Sequence, residues 1–126
     1  MLEEHVEATI AGGYAEVMLT HDSPGPPYCT DPVALILRDN PHEWPAVSIA
    51  YATEGVERVT RAVLGVRPRL LAHGHFHVAG EAVVQLPDAP HETAVWSLAA
   101  NQDPANVRLL DLDTLLEVRD GGSARP

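Results

Sequence analysis

One nine-residue stretch constrains the fold more than any other. A mostly apolar run, residues 69–72, leads straight into His73-Gly74-His75-Phe76-His77. A short apolar run that stops at such a punctuated segment is typical of a buried strand ending in a turn. Imidazole is the commonest neutral nitrogen ligand for zinc, iron and manganese, and Gly74 favours a tight turn or a close backbone approach. The stretch therefore predicts a metal-ligating turn at a strand end, and the alternative is a polar strand end in solvent.

A second apolar run supplies a partner for this turn. The run covers residues 15–20, and His21 follows it directly, ahead of the turn-forming Asp22-Ser23-Pro24. In open α/β sheets, sites form outside the carboxyl ends of strands, so His21, His75 and His77 are expected to converge there. Asp22 is a candidate to orient His21 by accepting a hydrogen bond from its ring without binding the metal itself, because ligand histidines usually donate their other N–H to an oxygen. The alternative for Asp22 is an ordinary turn residue.

The remaining pattern indicates a layered α/β fold. Residues 2–13 and 53–66 have helical spacing of apolar residues, with Thr53 as the cap of the second helix. Residues 33–38 are ambiguous between strand and helix. After His77, the short runs 81–86, 93–99 and 107–112 predict an antiparallel meander. No repeat or long linker divides the chain, which predicts a single domain over 1–126 with a disordered tail at 121–126.

The two histidine motifs resemble a known family. Gly74-His75-Phe76-His77, together with Thr20-His21-Asp22-Ser23-Pro24, resembles the last two metal-ligand motifs of the calcineurin-like metallophosphoesterases. The resemblance implies two divalent metal ions (Mn, Fe, Zn or similar), with His21 and His75 on one ion and His77 on its neighbour. It further implies that the chain forms the C-terminal half of a layered α/β/β/α sandwich, with a mixed sheet and two or three helices, and that the family activity is hydrolysis of phosphate mono- or diesters.

The sequence departs from this family in one important respect. The Asp-x-His, Gly-Asp-x-x-Asp and Gly-Asn-His-Asp/Glu motifs, which supply the other ligands, do not occur in it. The resemblance therefore implies a partial domain, the C-terminal half of the sandwich, with little activity alone. An N-terminal half or a second subunit would supply the remaining ligands around the phosphoester substrate.

Composition limits the other partners. The formal charge is −10, with 18 acidic and 8 basic residues, which disfavours nucleic acid and anionic membranes as partners. Phosphate binding by such a chain would depend on bound cations. The single cysteine, Cys29, fits a reducing compartment, and we interpret it as a bystander rather than a nucleophile. The sequence has no apolar stretch of membrane-spanning length, and we expect a cytoplasmic protein.

Two other functions are compatible with the same histidines. His75-x-His77 followed by Glu81 resembles the first metal motif of cupins, although the helical segment at 53–66 argues against a jelly roll. A non-catalytic fragment that binds metal or a partner, and associates through an exposed sheet edge, is the other alternative. Asp111 and Asp113 lie at alternate positions, as a pair of catalytic carboxylates would, but we interpret them as the solvated end of a strand.

Overall fold

Three α-helices lie in the part of the chain that the structure describes. The computed structural model describes residues 2–119 and 123–124. Within them lie α1 (Glu3–Ala11), α2 (Asp31–Asp39) and α3 (Ala46–Val66). The ambiguous segment 33–38 is thus helical: Pro32 lies in the first turn of α2 and Asn40 ends the helix in the left-handed conformation.

Helix α3 begins well before its predicted start. The prediction that Thr53 caps this helix is wrong, because the helix starts at Ala46 and Pro45 occupies the cap position. The Thr53 hydroxyl instead donates to the Ile49 carbonyl oxygen 2.9 Å away, inside the helix. A threonine can cap a helix, but inside a helix its hydroxyl can also donate to the carbonyl oxygen four residues earlier. The presence of Thr53 therefore did not mark the start of α3.

The main sheet has four strands: β1 (Val17–Thr20), β2 (Leu70–His73), β3 (Gly80–Val84) and β4 (Thr93–Ser97). Their order is β1-β2-β4-β3. Strand β2 is parallel to both of its neighbours, β1 and β4, and β3 is antiparallel to β4. The mixed α/β class expected from the sequence is confirmed.

The antiparallel meander predicted after His77 is confirmed for its first two runs, which pair as β3 and β4, and is wrong for the third. Strand β4 already has β2 and β3 as neighbours, so the third run joins a separate antiparallel sheet. This sheet contains β5 (Leu109–Asp111), β6 (Leu116–Arg119) and β7 (Ser123–Ala124) in that order. Pairing β5 with the adjacent β6 closes only a short loop, which costs little chain entropy. Within the predicted tail at 121–126, residues 123 and 124 form β7, and the other four residues lie outside the described part of the chain.

One part of the core lies between α1, α3 and the main sheet, and a second part lies between α2, α3 and the turn that carries Phe76. One buried cluster joins α1, α3 and the sheet, and it includes Val6, Val59, Leu71 and Val95. A second cluster lies under α2 and includes Cys29, Val33, Ile36, Ala52, Val56 and Phe76. Successive strand residues point to opposite faces, so Trp96 projects away from the helices. The Arg108 guanidinium lies 3.9 Å above its ring.

The main sheet has an exposed edge at β1, where Leu19 is 76% exposed. No helix of the described residues is both long and apolar enough to cross a membrane.

Candidate metal centre

The ends of two neighbouring parallel strands place His21 and His75 side by side. In the register of β1 and β2, Thr20 is opposite His73, so both chains leave the sheet at the same level. The Gly74 amide donates to the His21 carbonyl oxygen at 3.2 Å, which joins the two segments just beyond the sheet. This is the carboxyl edge at which sites form in open α/β sheets.

Three side chains form a compact group of potential metal ligands. His75 Nδ1 lies 3.0 Å from His21 Nε2 and 3.3 Å from Asp22 Oδ1. One ligand atom from each of these residues lies within 4.8 Å of the other two. Two imidazole nitrogens and one carboxylate oxygen suit Mn²⁺, Fe²⁺ or Zn²⁺. The donor set therefore fits one of the cations that the resemblance implies.

The electrostatic surroundings favour the ligand form of His75. Burial lowers the pKa of His75, and the neighbouring His21 and His77 lower it further. The charge of Asp22 acts in the opposite direction. Because a metal ligand must be the neutral imidazole, the net lowering means that less proton release accompanies metal binding.

The turn that carries His75 and His77 has an unusual backbone. Both histidines lie in the left-handed region, with φ of 67° and 60° respectively. The Phe76 amide donates to the Gly74 carbonyl oxygen at 2.9 Å, the hydrogen bond of a γ-turn. Phe76 itself is only 3% exposed and packs into the cluster under α2. The buried phenyl ring therefore anchors a turn whose two histidines project from the core.

His77 is not brought into the group of three. It is exposed, and the group found among the described residues contains His21, Asp22 and His75 only. Its role as ligand of a neighbouring ion stays a prediction.

The Asp22 side chain is adjacent to both histidines of the group, and its expected role in orienting His21 stays a prediction. Its carboxylate lies beside His75, and the Thr20 hydroxyl fixes the local backbone by donating to the Asp22 carbonyl oxygen at 2.7 Å. On its other side the carboxylate lies against α3 at Gly55. A Cβ at position 55 would overlap Asp22 Oδ2 and lie 3.1 Å from Asp22 Cγ.

Gly55 is a site residue that the sequence interpretation missed. Conversely, the close backbone approach expected at Gly74 is not found. A Cβ at position 74 would meet no atom within 4 Å, so this glycine is not needed for a close approach. The available signal at Gly55 was its position in the interior of a helix, on the face that carries Val56 and Val59. Glycine in a helix interior destabilises the helix relative to alanine, and a contact that leaves no room for a Cβ is a reason for its presence there.

His73 is a second residue whose position the sequence interpretation did not predict. It is 2% exposed, and its Nδ1 donates to the Gly74 carbonyl oxygen at 3.1 Å. Its Nε2 has no hydrogen-bond partner within the described part of the chain. Burial lowers the pKa of His73, and Asp22 and His75 are close enough to influence it. Alternation along β2 gave the signal, because it places His73 on the same face as Leu71.

No protein-family model, curated protein or solved structure matches this chain.

Two other groups of polar or aromatic residues lie outside the group of three. In the loop before α3, the ring centroids of His42 and Trp44 are 5.5 Å apart with the rings tilted by 30°, and Trp44 packs against the cluster under α2. Asp111 Oδ1 accepts from the backbone amides of Asp113 and Thr114, at 2.8 and 3.3 Å, so it stabilises the turn between β5 and β6.

Proposed function

We propose that this chain carries the C-terminal metal-ligand half of a metal-dependent phosphoesterase, which hydrolyses phosphate mono- or diesters. The observation that supports the proposal is the 3.0 Å separation of His21 Nε2 and His75 Nδ1 at adjacent parallel strand ends. These are the two histidines that the resemblance assigns to one ion. Three helices together with a mixed sheet are compatible with half of an α/β/β/α sandwich.

The residues of the chain have distinct roles in this proposal. His21 and His75 hold one ion, and the exposed His77 is available to a second ion. A bound pair of divalent cations supplies charge neutralisation for the phosphate and an activated water. Because the chain carries a formal charge of −10, the affinity for a phosphoester depends on those cations. An N-terminal half or a second subunit contributes the remaining ligands, so turnover by this chain alone is low.

Metal content and phosphate binding test this proposal together. Purified without a histidine tag, the chain should retain near-stoichiometric metal in plasma mass spectrometry, and His21→Ala and His75→Ala should lose it. His91→Ala is the matched control, because His91 lies at the opposite end of the sheet, where its Nε2 lies 2.9 Å from the Arg67 carbonyl oxygen.

The phosphate arm uses Mn²⁺ as a paramagnetic probe. The Mn²⁺-loaded chain should broaden the ³¹P resonance of inorganic phosphate beyond the effect of free Mn²⁺, and His75→Ala should abolish the excess broadening. Retention of metal without any effect on the phosphate resonance would refute a phosphoesterase site.

A non-catalytic metal-binding module is the second candidate function. It is favoured by the fact that three potential ligands come from one chain and lie within 4.8 Å of one another. The phosphate resonance distinguishes the two candidates. The cupin alternative is not retained, because a jelly roll has no place for three helices and three parallel strands, and Glu81 pairs with Arg108 at 2.8 Å.

A further inference from the structure

The carboxylate of Asp22 has an environment that calls for a cation. Its side chain is only 18% exposed, and the potentially charged side chains beside it are His75, at 3.3 Å, and His21, with a ligand atom within 4.8 Å. No arginine of the described residues forms an ion pair with it. No described backbone amide donates to it either. A partly buried carboxylate without a cationic partner is costly, and bound metal ions are a common solution.

A second unpartnered group lies nearby. The buried Nε2 of His73 has no partner in the described residues, and His73 is the last residue of β2, next to the Gly74 amide that donates to the His21 carbonyl oxygen. Because Nδ1 donates to the Gly74 carbonyl oxygen, the unpartnered Nε2 is an acceptor. A partly buried carboxylate without an arginine partner and a buried imidazole nitrogen without a hydrogen-bond partner thus lie at the same edge of the sheet, within the described residues.

The Asp22 carboxylate lies against α3 at Gly55, where the absence of a Cβ leaves room for it. Glycine destabilises a helix interior relative to alanine, yet Gly55 lies in the middle of this 21-residue helix. A Cβ there would overlap Asp22 Oδ2. Any other residue at position 55 would therefore push the carboxylate away from His75 or move the helix.

From these contacts we propose that Asp22 is a direct ligand of the ion held by His21 and His75, and that Gly55 is its positioning residue. The chain then holds one divalent cation of the Mn²⁺, Fe²⁺ or Zn²⁺ class through three side chains of its own. The inference rests on the proposed function only for His21 and His75 as ligands. It does not depend on phosphate binding or on a second subunit.

The test compares two glycine substitutions in the same helix. Gly55→Ala and Gly65→Ala both add a methyl group to the packed side of α3, but at position 65 the Cβ meets Ile10 side-chain atoms, the nearest at 2.7 Å. Zn²⁺ and Mn²⁺ affinities are measured by competition with a chromophoric chelator. We expect Gly55→Ala and Asp22→Ala to weaken binding by about 10- to 100-fold, and Gly65→Ala to change it less than about twofold.

A double-mutant cycle establishes whether Gly55 acts through Asp22. In the Asp22→Ala background the methyl group at position 55 has no carboxylate to displace, so Gly55→Ala should have no further effect on metal affinity. An equal loss in both backgrounds would overturn the positioning role.

The isosteric variant Asp22→Asn covers the case in which Gly55→Ala does not fold. Wild-type affinity in Asp22→Asn would overturn the ligand role, because this variant keeps the shape of the side chain and removes its charge. Failure of the phosphate measurement with intact three-residue metal binding would refute the proposed function and leave this inference standing.

Discussion

Removal of the Phe76 ring is expected to destabilise the protein and the metal-binding turn together. The ring is 3% exposed and lies in the cluster formed by Val33, Ile36, Val56 and their neighbours. A phenylalanine side chain buries about 150–250 Å², which at about 25 cal/mol per Å² gives an upper limit of about 4–6 kcal/mol. Since alanine keeps the Cβ, we expect Phe76→Ala to lower the free energy of unfolding by about 3–5 kcal/mol.

The same ring restrains the histidines on either side of it. Left-handed backbone at non-glycine residues costs about 1–3 kcal/mol each, and His75 and His77 both adopt it. The packing of Phe76, including its edge contact with the His75 ring at 4.9 Å between centroids, holds the turn in that conformation. Metal affinity should therefore fall with the free energy of unfolding in Phe76→Ala.

Urea denaturation in the presence of EDTA measures the stability term without a contribution from metal. With a slope of about 2 kcal/mol per M, a loss of about 4 kcal/mol moves the midpoint by roughly 2 M. Phe76→Leu should cost less than about 1.5 kcal/mol, and the exposed Val107→Ala should stay within about 0.5 kcal/mol. A loss below about 1 kcal/mol in Phe76→Ala would refute the anchoring role of the ring.

Three further predictions follow from individual residues. Because burial lowers the pKa of His73, its unfolded form binds a proton that the folded form does not. The free energy of unfolding should therefore fall as the pH decreases from about 6.5 toward the folded pKa, by up to about 1.4 kcal/mol per pH unit, and His73→Gln should lack this contribution in urea titrations with EDTA. Cys29 is buried and its thiol pKa is raised, so a disulfide reagent should modify it only after unfolding; rapid native-state labelling would contradict this. His77→Gly should raise the free energy of unfolding by about 0.5–1 kcal/mol in EDTA, because glycine relieves the left-handed backbone, and an unchanged denaturation midpoint would count against strain at this position.

The histidine segments were predictable because their signals are local. A strand reads as a short apolar run, and glycine, proline and polar residues mark its end within a few positions. This was sufficient to locate β1, β2 and the turns that carry His21 and His75. The helical spacing after Thr53 likewise identified the C-terminal part of α3. The approach of the turns carrying His21 and His75 at one sheet edge was predictable because sites in open α/β sheets form at the carboxyl ends of strands.

The sequence by itself therefore determined α1, the C-terminal part of α3, the strands β1 to β5, the mixed α/β class and the histidines at two strand ends. The tertiary structure decided the early start of α3, the insertion of β4 between β2 and β3, and the exclusion of His77 from the compact group. It also decided that Asp22 lies against Gly55 and that His73 is buried. These features depend on contacts between residues far apart in the chain, and neither local periodicity nor turn chemistry encodes which distant surfaces meet.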